Sequence, residues 1–264
     1  MIRFGRELAA VALIVAVGAA CDNGVLEQDG SVSEASLIGE AAPPEGPVTP
    51  VDTDENYDCT SRVTGTFDNV FVPQGAACSL EDAVVNGNVL ARERSQLFVS
   101  GSRIAGNIDG VEAHVVQVRG GSLEGSIQIQ DGSSPEAIGA LVVGTRLSQG
   151  NITIQKMRTG AIEIRNVILV KGNIQIQESP ARTIAITGGE LGEGNIQVQD
   201  NAVSSALDIL QNLVAQNLEV FVNDGSGDKA VTGNTVGQTL VCKENTPPFT
   251  GGPNTAGEAE EQCF

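Results

Sequence analysis

Gly150-Asn151-Ile152-Thr153-Ile154-Gln155 is followed 22 residues later by Gly172-Asn173-Ile174-Gln175-Ile176-Gln177. After another 22 comes Gly194-Asn195-Ile196-Gln197-Val198-Gln199, and Gly125-Ser126-Ile127-Gln128-Ile129-Gln130 precedes all three. In each copy apolar residues alternate with polar ones, the period of a short strand with one dry face and one wet face. Extending the alignment gives anchors at Gly65, Gly87, Gly106, Gly125, Gly150, Gly172, Gly194, Gln216 and Gly237, spaced 22, 19, 19, 25, 22, 22, 22 and 21. The second half of the repeat keeps the same register: Ile162 and Ile164 recur as Ile184 and Ile186, and Leu169 recurs as Leu191.

Three short strands and no long helix per repeat cannot satisfy their own backbone, but stacking each repeat on the next pairs every strand in parallel. The expected fold is all-β: a single-stranded parallel β-helix of about nine coils of roughly 22 residues, right-handed by the crossover preference of parallel strands. A propeller would need blades of about 40 residues, and a leucine-rich horseshoe would show its Leu and Asn pattern with helical segments. Gly225-Ser226-Gly227-Asp228 is a single match to the calcium-binding nonapeptide rather than a tandem array. Leu207, Leu210, Leu213 and Val214 have helical spacing, so residues 204–216 read as a distorted coil, with a short helix as the alternative.

The chain divides into three parts. In residues 1–20, Arg3 and Arg6 precede an uncharged apolar run, 8–20, too short to span a membrane as a helix and read as a signal peptide. Gly18, Ala19 and Ala20 immediately before Cys21 resemble the bacterial lipobox, which implies lipid attachment at Cys21 and export to the periplasm or cell surface as a membrane-anchored lipoprotein. Asp22 resembles an inner-membrane retention signal. Residues 21–58 read as an acidic, disordered tether, since 22–58 holds ten Asp or Glu, four Pro and no Lys or Arg. Residues 59–264 form the β-helix domain. With 33 acidic against 15 basic residues and a net charge of −18, the chain is a poor partner for nucleic acid.

Asparagine follows the anchor at Asn88, Asn107, Asn151, Asn173, Asn195 and Asn217, where it tolerates a tight corner and can hydrogen-bond from coil to coil. Gln128, Gln130, Gln155, Gln175, Gln177, Gln197 and Gln199 are expected to point outward along one face, as a structural ladder or as a contact surface for glycan hydroxyls or another copy of the chain. Cys59 and Cys78 are 19 apart and Cys242 and Cys263 are 21 apart, each close to one coil. Stacked residues lie about 4.8 Å apart, within reach of a disulfide, so the two pairs are expected to staple the two ends.

No catalytic constellation stands out, and neither a cofactor nor a metal is expected. Asp109 and Glu163 can be named as carboxylates, but nothing pairs them; His114 is the single histidine, and the chain has no Trp and one Tyr. The expectation is a non-enzymatic envelope module for spacing, adhesion or matrix attachment, with a polysaccharide-binding or polysaccharide-degrading β-helix and a self-assembling scaffold as alternatives. The ending Asn234-Thr235-Val236-Gly237, Cys242-Lys243-Glu244-Asn245-Thr246-Pro247-Pro248, Asn254-Thr255-Ala256-Gly257 and Cys263 resembles that of a widespread group of exported bacterial β-helix proteins, over roughly residues 59–263. The resemblance implies the fold and no activity. The coils also distantly resemble bactofilins, which polymerise end to end but are cytoplasmic and lack such staples.

Overall fold

The computed structural model describes residues 41–263, which hold no helix and are built from parallel strands stacked in about nine turns. The signal peptide, Cys21 and most of the tether lie outside the described residues.

Three parallel sheets run the length of the solenoid. A glutamine sheet contains Ile127–Gln130, Ile152–Gln155, Ile174–Gln177 and Ile196–Gln199, continued by Ile108–Val111 on one side and Leu218–Phe221 on the other. A long sheet contains Val115–Arg119, Ala140–Val143, Thr159–Arg165, Ala181–Thr187 and Val203–Leu210, and a short sheet contains two-residue strands such as Arg146–Leu147 and Ile168–Leu169. In the glutamine sheet Ile127, Ile152, Ile174, Ile196 and Leu218 pair in direct register and are fully buried, so the aliphatic side chains one coil apart form one dry file. Burial of that file, not local propensity, fixes the register, because a one-residue slip would expose every Ile and bury every Gln.

Residues 204–216 are extended. Val203–Leu210 carries a bulge against Ala181–Thr187, where Ala181 and Thr183 pair with Val203 and Ala206. The leucine spacing is that of the coil itself, since Leu207, Leu210, Leu213 and Val214 pair with Ile184, Thr187, Glu190 and Leu191 of the coil before; Leu207 stays inside while Leu213 is half-exposed. The segment is thus a distorted coil and not a helix.

The solenoid also begins earlier than its composition suggests. Thr49–Asp58, assigned above to the tether, is a strand paired in parallel with Arg62–Val72, and Val51 and Tyr57 pack against the core. Residues 41–46 lie on the outer surface of the long sheet, where Ala41 is buried with Phe98 and Val115. The Arg62 guanidinium holds Glu81 at 2.7 and 2.9 Å and donates to the Gly46 carbonyl at 2.7 Å. Low hydrophobicity argues against a core position but not against an edge strand, which is held by backbone pairing and is protected from further pairing by charge.

Cys59–Cys78 and Cys242–Cys263 are disulfide-bonded, with Cα separations of 5.4 and 5.2 Å. Each joins neighbouring coils at one end. Opening the C-terminal bridge with Cys242→Ser and Cys263→Ser is expected to remove about 3 kcal/mol from the last coil by the loop-entropy estimate. Hydrogen exchange should then rise in 240–262 and stay unchanged in Ile152–Gln155; a uniform increase along the whole solenoid would contradict the separable-coil picture.

Candidate functional site

Each coil turns three corners, and along part of the solenoid each corner is held by a ladder of polar side chains. The corner before the glutamine sheet carries the asparagines read from the repeat. Backbone N–H groups of Asn88, Asn107, Asn173, Asn195 and Asn217 donate to the Oδ1 of the asparagine one coil back, at 2.8 to 3.0 Å. Ser126 takes one rung, donating its N–H to Asn107 and accepting from Asn151. These side chains are committed to the backbone, which fits a structural role for the ladder.

Two further ladders carry no repeat motif and are buried except at Asn254. After the glutamine sheet, the N–H groups of Ser179, Asn201 and Asn223 donate to the Oδ1 of Asn201, Asn223 and Asn245. The Nδ2 groups of these three asparagines reach back to the carbonyls of Ile176, Val198 and Val220. Asn212, Asn234 and Asn254 repeat the device at the third corner, donating to Ile186, Ile209 and Val231. Glu178, Asp200, Val222 and Glu244 precede the first set with φ between 51° and 57°, a left-handed step that turns the following side chain inward. The asparagines are visible in the sequence at intervals of 22 residues, and of 20 from Asn234 to Asn254, but their neighbours vary, so no motif marks them.

Lys229 is a third feature that the sequence conceals. It occupies an inward position paired with Leu207, is 1% exposed, and donates from Nζ to the carbonyls of Thr246, Gly227 and Gly225 at 2.8, 3.3 and 3.4 Å. Burial pulls its pKa down, with Asp224 and Asp228 opposing that shift. Gly225 and Gly227 therefore line a lysine socket.

Among the described residues, the glutamine sheet presents the one regular polar surface the repeat builds. Its outward positions form two columns: Gln128, Thr153, Gln175 and Gln197 in the first, and Gln130, Gln155, Gln177 and Gln199 in the second. Within a coil the first-column amide donates to the second-column carbonyl. This holds for Gln128 to Gln130 at 3.4 Å, Gln175 to Gln177 at 2.8 Å and Gln197 to Gln199 at 2.9 Å. Gln155 instead donates to Glu178 at 3.3 Å, and Gln199 reaches Gln177 at 3.5 Å. Below the columns, Leu90, Asp109, Val111, Gln128 and Gln130 line a depression of about 260 Å³. Above them stand Glu219 and Phe221, with the Lys243 ammonium 5.2 Å from the Phe221 ring centre.

Asp109 and Glu163 do not meet, because Asp109 belongs to the glutamine sheet and Glu163 to the long sheet. Desolvation raises the pKa of both. Glu163 is 5% exposed, and its Oε2 faces the Arg165 guanidinium without an aligned hydrogen bond; Arg165 and Arg119 partly offset the burial. His114 sits at a corner, donates its backbone N–H to Ser95, and makes no side-chain hydrogen bond among the described residues. Among those residues no three His, Cys, Asp or Glu side chains converge as a metal set.

The Glu163 carboxyl gives a pH prediction. Its folded pKa lies above its unfolded value, so its contribution to stability is present below the unfolded value and is lost as pH rises through the folded one. Glu163→Gln cannot ionise, so its melting temperature relative to the wild type should climb between pH 4 and pH 7. A constant or shrinking difference would show that Glu163 is not desolvated in this way.

Comparison with protein-family models, characterised proteins and solved structures gave no match. The functional reading therefore rests on this chain's own surface.

Proposed function

We propose that the protein is a non-catalytic cell-envelope module, exported and anchored through lipid on Cys21, in which a rigid solenoid carries the two glutamine columns as its contact face. One observation carries the reading. Four consecutive coils place eight uncharged polar residues in register on one sheet, in a chain whose net charge is −18. Beyond these four coils, outward positions such as Asp109 and Glu219 on the same sheet and Asp208 on the long sheet carry carboxylates that disfavour contact with acidic envelope polymers or with other copies. The amide face has hydrogen-bonding capacity and no such repulsion. Export is supported by the two disulfides, which persist in oxidising compartments.

The experiment compares retention of the full chain and the Gln175→Lys, Gln197→Lys double variant on isolated cell envelopes. Both side chains are partly exposed, so the substitution should cost at most about 1 kcal/mol through the two stacked ammonium groups. Retention is expected to fall at least tenfold with the melting temperature nearly unchanged. Equal retention of the two proteins would remove the glutamine columns as the contact face.

A further inference from the structure

We propose that the occupant of the glutamine face is the same face of a second copy, with the two solenoid axes parallel; this rests on the reading of that face as the contact surface. The hydrogen bonds within the face leave a defined set of amide atoms unused. In three coils the first-column Nε2 donates to the second-column Oε1, always in that direction. The first column therefore keeps its carbonyl oxygens wholly free on Gln128, Gln175 and Gln197, beside one remaining N–H each. The second keeps free N–H donors on Gln130 and Gln177, and one on Gln199, whose other donor makes the 3.5 Å bond to Gln177. One edge of the face is thus richer in acceptors and the other richer in donors, both repeating at the coil rise of about 4.8 Å.

Two identical faces can meet about a two-fold axis lying in the plane of contact in two ways. If the axis runs across the coils, the solenoids are antiparallel and each column meets its own kind, the acceptor-rich edge against itself and the donor-rich edge against itself. If it runs along the solenoid, the axes are parallel, every coil keeps its height, and each first column meets the second column of the other copy. Gln175 Oε1 then accepts from the partner's Gln177 and Gln197 Oε1 from the partner's Gln199, each contact occurring twice by symmetry. The ends agree with this choice. Glu219, in the first column, would stand opposite the partner's Phe221 with the partner's Lys243 one coil above, pairing opposite charges. Amide-to-amide packing of stacked strands is the arrangement that in-register glutamine ladders favour.

Four coils by four strand residues cover on the order of 250 Å² per copy, well below the roughly 800 Å² per partner of a stable interface. The pair is accordingly weak in dilute solution and forms where copies are concentrated. Tethering both to one membrane would supply that concentration and would also hold their axes parallel.

The test is site-directed cross-linking of the full chain, at high protein concentration and on membranes, between differently tagged Gln175→Cys and Gln177→Cys variants. Sheets packed face to face lie about 10 Å apart, so a short bifunctional maleimide is used rather than a direct disulfide. The mixed 175–177 product is expected in at least fivefold excess over the 175–175 and 177–177 products, and over cross-links of a Ser205→Cys control on the long sheet. Dominant 175–175 linkage would overturn the parallel arrangement. Absence of any product above the control would remove the second copy as occupant. If, in that case, the Gln175→Lys, Gln197→Lys variant still loses envelope retention, the contact face survives with another ligand, such as a glycan; if it does not, both readings fall.

Discussion

Asn223→Leu is expected to destabilise the C-terminal coils by about 2–5 kcal/mol, against less than about 1 kcal/mol for Asn173→Leu one ladder away. Both residues are corner asparagines in 22-residue register, and leucine keeps their branching at Cγ without the polar atoms. What differs is the surroundings. Asn223 is fully buried, and its Oδ1 accepts from the Asn201 N–H at 3.2 Å and the Asn201 Nδ2 at 2.9 Å. Its own Nδ2 donates to Val198, Phe221 and Asn245 at 2.9 to 3.0 Å. Leucine leaves the Asn201 N–H with no acceptor in a site water does not reach, and each such buried orphan costs about 1–3 kcal/mol. Asn173 is partly exposed, and water can replace the acceptor it offers to Asn195. Chemical denaturation gives the two costs, and exchange of the Asn201 amide locates the first. Equal costs for the two variants would mean that the buried ladder contributes nothing beyond the exposed one.

That contrast also marks where sequence reading stops. The Ile file and the glutamine columns were legible because alternation within a strand and recurrence at 22 residues are properties of the chain itself, and stacking follows from them. The disulfides were legible for the same reason, since one coil of separation places two cysteines at bonding distance. Asn201, Asn223 and Asn245 lie at the same period. Their inward turn depends on a left-handed residue just before them, and Asp200, Val222 and Glu244 share no chemistry that would announce it. Lys229 sits in Asp228-Lys229-Ala230-Val231-Thr232, where a lysine reads as the wet position. Only the arrival of the Thr246 carbonyl from the next coil, beside those of Gly225 and Gly227, makes the dry position tolerable. Thr49–Asp58 failed differently: composition measures how much a segment can bury, and an edge strand needs to bury little. As for the candidate face, its residues were legible one by one. The direction of their mutual hydrogen bonds, which gives the face an acceptor-rich edge and a donor-rich edge, is a property of the folded side chains alone.

Gly172→Ala should be among the most damaging single substitutions in the middle of the solenoid, at about 3–5 kcal/mol, although it adds one methyl group at a partly exposed corner. Gly172 has φ +139°, and a Cβ there would fall 1.8 Å from the Gly150 carbonyl oxygen and 2.7 Å from its carbon. The obstacle is backbone, so no rotamer change relieves it. The carbonyl cannot retreat without lengthening the coil-to-coil bonds that follow at once, from the Asn173 N–H and Nδ2 to the Asn151 Oδ1 at 2.8 and 3.2 Å. Gly144→Ala separates the two contributions. Gly144 has φ +62°, and a methyl group on its Cα would meet no heavy atom within 4 Å, so alanine there bears only the left-handed backbone penalty of roughly 1–2 kcal/mol. The excess cost at Gly172 is the cost of prising one coil from the next. Because Gly172 opens directly into Ile174–Gln177, the same variant should disturb the spacing of Gln175 and Gln177 and weaken envelope retention even at temperatures where it stays folded. If Gly172→Ala and Gly144→Ala melt together, the corner does not set the coil rise, and the regular spacing of the amide columns must come from the strands themselves.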